Sequence, residues 1–85
     1  MDWLNMMLGL ARGEGRMSDT FKAASGKTYY VDSNNTLDHS YETMVFECDK
    51  VGNVTSWRDL DCELYDSLEE MQAGHKMMVE KWKAM

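Results

Sequence analysis

Residues 41–83 read YETMVFECDKVGNVTSWRDLDCELYDSLEEMQAGHKMMVEKWK, and this stretch decides the fold. Tyr41–Cys48 is the strongest strand in the chain. Its β-branched and aromatic residues suit a pleated surface, and alternation puts Met44, Phe46 and Cys48 on one face with Tyr41, Thr43 and Val45 on the other. Asp49–Asn53, with Gly52, reads as a turn, and Val54–Trp57 as the returning strand. Asp59–Tyr65 reads as a loop or a single helical turn. Ser67 and Glu70 then form the capping pattern S-x-x-E. Leu68, Met71, His75, Met78, Val79 and Trp82 follow as one apolar stripe at helical spacing, with Gln72, Lys76, Glu80 and Lys83 mostly opposite. Acids open this helix and lysines close it, as the helix dipole favours.

Upstream, the strand signals are shorter. Thr20–Ala24 and Thr28–Asp32 flank a hairpin-type turn at Ser25-Gly26-Lys27, and Ser33–Ser40 is a polar loop. The sequence therefore predicts an α+β fold: a small antiparallel sheet of three to four strands, with the C-terminal helix packed on one face. Asp2–Arg12 reads as a further short helix, capped by Asp2 and ended by Gly13. Its apolar residues (Trp3, Leu4, Met6, Met7, Leu8, Leu10 and Ala11) lie on nearly every side, which asks for burial. Residues 1–16 are thus expected as a short apolar helix or extension, and 17–85 as a single domain. An over-apolar helix beside a thin core also predicts a homodimer.

The chain has 85 residues, 44% of them apolar and 28% charged, which fits one folded domain. No apolar run approaches the ~20 residues of a bilayer span. A net charge of −6 argues against direct nucleic-acid binding, which needs clustered Lys and Arg. The acidity is local: residues 31–75 hold eleven acids against only Lys50 and Arg58. Its densest block is Asp59, Asp61, Glu63, Asp66, Glu69 and Glu70, with no base between Arg58 and Lys76. The N-terminus lacks the basic start of a signal peptide, so a reducing cytoplasm is expected, with Cys48 and Cys62 as free thiols.

Motifs for chemistry are sparse. Asp59, Asp61, Glu63, Ser67 and Glu70 match calcium-loop positions, but Leu64 stands where glycine must turn the chain and no helix precedes the loop. His39, Cys48, Cys62 and His75 lack zinc-ligand spacing. His75, inside the apolar stripe, reads as a core-edge histidine bonded to a carbonyl or carboxylate. Gly74 beside it implies a tight contact, because glycine in a helix costs ~1 kcal/mol relative to alanine. No nucleophile elbow, triad signature, phosphate loop or dinucleotide fingerprint is present, so neither an enzyme nor a cofactor is expected.

One run has a wider resemblance. Tyr41-Glu42-Thr43-Met44-Val45-Phe46, Asp49, Gly52-Asn53-Val54-Thr55, Trp57, Leu60 and Tyr65 lead into Glu69-Glu70-Met71, Gly74-His75, Met78-Val79 and Trp82. This pattern, over roughly residues 28–83, resembles a group of short proteins encoded in phages and prophages of gut-type bacteria. The group carries no assigned activity, so the resemblance implies a setting: a phage accessory product in the bacterial cytoplasm. In that setting an acidic chain without catalytic motifs suggests a stoichiometric, anti-CRISPR-like inhibitor. Asp59, Asp61, Glu63, Asp66, Glu69 and Glu70 would be its binding residues, facing a basic nucleic-acid-binding surface of a host protein. Two other readings are an oligomer that binds a nucleotide through Lys22, Lys27 and Arg58, and a phage structural or assembly protein. An acidic run that merely solubilises the surface is the plain counterpart of the first reading.

Overall fold

The alternation in Tyr41–Cys48 builds the centre of the sheet. In the computed structural model, which describes residues 15–36 and 40–85, four strands follow in chain order: β1 (Met17–Lys22), β2 (Thr28–Asn35), β3 (Tyr41–Cys48) and β4 (Asp61–Tyr65). All neighbours are antiparallel and the spatial order is β1-β2-β3-β4, a simple meander. One helix, α1 (Leu68–Lys83), lies across one face. The α+β architecture is therefore as the sequence predicts. The helix expected over Asp2–Arg12, which together with the thin core predicts a homodimer, lies outside the described residues.

Pairing register fixes what the helix covers. Val31 faces Val45, and Ser33 faces Thr43, so both pairs point to one side of the sheet. Tyr29, Val31 and Val45 from that side close a core with Ala23, Met78 and Val79, and Phe21 and Trp82 pack against it. The Trp82 ring meets Tyr29 edge-on at 5.0 Å. The two ends of the helix are tied differently. Ser67 caps the start, its Oγ accepting from the Glu70 N–H at 3.1 Å. At the far end the Ala24 N–H donates to the Lys83 carbonyl at 2.8 Å, joining α1 to the β1–β2 turn.

Besides β1, which is Met17–Lys22 rather than the expected Thr20–Ala24, two assignments differ from the expectation. β2 runs on through Ser33, Asn34 and Asn35, which the composition assigns to a loop. Pairing with Tyr41, Glu42 and Thr43 satisfies their backbone, and tertiary context overrides weak strand preference. The second difference is the fourth strand. Val54 makes only an isolated bridge to Cys48, and the Thr55 N–H donates to the Glu47 carbonyl at 3.0 Å. The chain then leaves the ladder at Ser56 and rejoins it at Leu60, whose N–H donates to the Val45 carbonyl at 2.7 Å. Val45 is also the partner of Asp61, so two residues of the returning chain stand opposite one of β3, a bulge. The true strand is Asp61–Tyr65, not Val54–Trp57 and not a loop. Its middle residues Cys62, Glu63 and Leu64 are all exposed, so little burial pattern marks them as a strand.

Candidate functional site

The β3–β4 side of the molecule gathers the features that core packing does not use. The sheet face away from α1 carries Tyr30 and Phe46 stacked at 6.3 Å. Trp57 reaches back from the excursion after Val54 and meets Phe46 edge-on at 5.2 Å. That contact buries Phe46 but leaves Trp57 71% exposed. Leu60 is also exposed, and Leu64 is 66% exposed. Leu64 pairs with Glu42 and Cys62 with Met44, so alternation puts these residues on the same open face as Phe46. The result is a small aromatic and aliphatic surface at one edge of the sheet.

The acidic residues of the same run do not act as one group: the structure separates the six that the sequence groups together, and Asp61 and Glu63 face the helix side of the sheet. Asp61 belongs to the fold. One of its oxygens, Oδ2, accepts from Lys81 Nζ at 2.8 Å and from Trp82 Nε1 at 3.0 Å; Oδ1 accepts from the Cys62 N–H at 2.9 Å. The Lys81 hydrogen bond, helped by Trp82 and opposed by partial burial, holds the Asp61 carboxyl below its ordinary value. Glu70 serves the helix start, where Oε2 accepts from the Asp66 N–H at 3.4 Å. Asp59, Glu63, Asp66 and Glu69 are exposed and carry no ion pair among the described residues. Lys22 and Lys27 stand at the β1–β2 turn, while Arg58 lies on the excursion beyond Val54.

The Asp61 anchor has a pH signature. A carboxyl held low in the fold stabilises it above the ordinary value of 3.8, and that stabilisation is lost as pH falls through the lowered folded value. Asp49 behaves alike: its oxygen accepts from the Asn53 and Val51 N–H groups, which holds it low. Thermal unfolding followed from about pH 7 to about pH 2 should therefore fall more steeply on the acid side for the unmodified chain than for Asp61→Asn. Parallel curves would show that the Lys81–Asp61 pair contributes nothing to folding.

A second constellation lies inside. His75 Nε2 is 2.7 Å from Asp19 Oδ2, and Nδ1 is 2.6 Å from Ser33 Oγ, which in turn is 2.5 Å from Thr43 Oγ1. The carboxylate can only accept, so Nε2 donates and Nδ1 accepts from the Ser33 hydroxyl when the ring is neutral. A serine, a histidine and a carboxylate in hydrogen-bond sequence is the order of an activated nucleophile. Here, however, Ser33 is 0% exposed and Thr43 is buried with it, so no acyl group can approach Oγ. The chain of bonds links β1, β2, β3 and α1 through the core. This is the core-edge histidine the sequence suggested, with Asp19 as the carboxylate; only the serine and threonine partners had no sequence signal.

Gly74 also finds its reason in this layer. A Cβ there would run into the ring of Tyr65, whose hydroxyl is buried without a well-formed hydrogen bond. Burial pushes the Tyr65 phenol up, and the Thr43 hydroxyl partly opposes that shift. Cys48 is buried and Cys62 exposed, both as free thiols. Among the described residues no helix is long and apolar enough to cross a membrane. Comparisons with protein-family models, with curated proteins and with solved structures find no match.

Proposed function

We propose that this chain is a stoichiometric protein-binding inhibitor that covers a basic, nucleic-acid-binding surface of a bacterial host protein, as an anti-defence factor would. The observation that carries this reading is the placement of exposed Leu60 and Leu64 within the acid-rich run Asp59–Glu70, with exposed Trp57 two residues before it. Protein interfaces concentrate their energy in a few aromatic and aliphatic anchors inside a polar rim. Acids in that rim steer a basic partner and reject acidic ones. The phage-type sequence pattern supports the setting, and the local charge supports the partner's sign.

Asp61 must stay out of any test of the acidic rim, because its loss would loosen Lys81 and Trp82. The test uses Asp59→Lys, Glu63→Lys and Asp66→Lys together, all at exposed positions. The partner would be captured from bacteria with the unmodified chain, and its nucleic-acid binding titrated against the purified protein. Inhibition should saturate at one chain per site, weaken with salt, and drop by about a hundredfold in the triple variant. Unchanged inhibition by a variant that still folds would falsify the acidic reading. A captured nucleotide, with no protein, would instead favour sequestration.

A further inference from the structure

The outer edge of β4 is unpaired among the described residues, and its chemistry specifies what could pair with it. The carbonyls of Val45 and Glu47 on β3 point toward β4, since they accept from Leu60 and Thr55. By alternation Asp61, the register partner of Val45, and with it Glu63 and Tyr65, turn backbone groups inward to β3. Cys62 and Leu64 turn theirs outward. The Cys62 N–H is already taken by Asp61 Oδ1. Among the described residues, what stays open is the Leu64 N–H and the carbonyls of Cys62 and Leu64, a strand edge with one donor and two acceptors.

Side chains along this edge alternate in kind as well as direction. Cys62 and Leu64 face the open side, and both are exposed. Asp61 and Glu63 face the helix side, where Asp61 is paired with Lys81 and Glu63 is exposed. Asp59 and Asp66 flank the strand. We propose that β4 accepts an added strand from the partner, an extended segment alternating Lys or Arg with apolar residues. Its basic side chains would meet Glu63 on the helix side, with Asp59 and Asp66 just beyond the strand ends, and its apolar ones would meet Leu64 on the open side, the side on which Trp57 packs against Phe46. A second copy of β4 fits poorly: antiparallel pairing centred on Glu63 sets that carboxylate against its own copy. This inference rests on the inhibitor reading and adds the mode of binding and the partner's local chemistry.

The probe is the peptide KVKVKVKV, compared with KKKKVVVV of equal charge and composition. Binding is read by fluorescence anisotropy, and strand addition by slowed hydrogen exchange of the Leu64 amide. The alternating peptide should bind about tenfold more tightly than the blocked one and slow that exchange. Methylating alternate peptide nitrogens, which leaves the protein untouched, should remove the difference; so should Leu64→Pro, which deletes an outward N–H on an edge strand. Equal binding of both peptides, sensitive to salt and to the triple charge reversal, would overturn strand addition and leave the acidic-rim reading standing. No binding of either peptide overturns strand addition alone, because the captured-partner titration decides the inhibitor reading separately. Protection of Leu64 without peptide, with a concentration-dependent dimer, would assign the edge to a second copy and overturn the proposal too.

Discussion

Replacing His75 by alanine is expected to cost about 3 kcal/mol and to lower the melting temperature by ~10–20 °C. The ring is 1% exposed, so its removal leaves a cavity between α1 and the sheet. It also strips a partner from Ser33, which is fully buried and cannot turn to water. Asp19, by contrast, is 56% exposed and regains hydration when the bond to Nε2 is lost. Asp19→Asn should therefore cost well under about 1 kcal/mol. His75→Gln, which keeps a donor and an acceptor, should fall between alanine and the unmodified chain, and His75→Leu should recover volume without recovering Ser33. Urea unfolding of the four variants gives the order directly. If Asp19→Asn were as damaging as His75→Ala, the carboxylate and not the buried hydroxyls would anchor the ring. Against a total stability of about 4–13 kcal/mol for a chain this size, the loss is a large share.

How far the sequence exposes these features depends on whether a residue's role is local. The helix was legible because its signals are internal: Ser67 caps within three residues, and the stripe from Leu68 to Trp82 repeats at one period. β3 was legible for the same reason. β4 was not, because Asp61, Glu63 and the exposed Cys62 and Leu64 give no hydrophobic alternation, and its existence depends on backbone pairing with β3. Ser33 is hidden for a related reason: in isolation it is a loop residue, and only Thr43, ten residues on, and His75, forty-two residues on, make it a core residue. The acidic block shows the same limit. Six carboxylates are contiguous in reading, yet Asp61 has been drawn into the fold by Lys81 and Trp82, and Glu70 by the helix start. Charge counting finds a block, whereas packing decides which of its members remain available to a partner. Exposed Trp57, just before the acidic run, is invisible to charge counting altogether, because only the structure shows that its ring packs on Phe46 and stays open to solvent.

The second large effect concerns Gly74. On propensity alone, Gly74→Ala in the middle of α1 should stabilise the helix by ~1 kcal/mol. The structure reverses that expectation. The added Cβ would meet Cε1, Cζ and the hydroxyl of Tyr65, the rigid end of a ring held between β4 and α1. An aromatic ring cannot yield as the tip of a flexible chain can, so either the ring rotates out or the helix lifts from the sheet. Such overpacking costs about 1–3 kcal/mol, and lifting the helix would also strain the neighbouring His75 bonds to Ser33 and Asp19. The net expectation for Gly74→Ala is a loss of about 2 kcal/mol, and more for Gly74→Val, whose branched side chain is also a poorer helix former. The decisive comparison is the double variant Tyr65→Ala with Gly74→Ala. Removing the ring alone opens a cavity, but with the ring gone the new methyl should be neutral or favourable, giving a coupling of about 2 kcal/mol between the two positions. Additive losses would mean that Gly74 is required for something other than the close approach of Tyr65. A gain from Gly74→Ala alone would mean that the ring moves aside freely, and that β4 is less firmly seated on the helix than its packing implies.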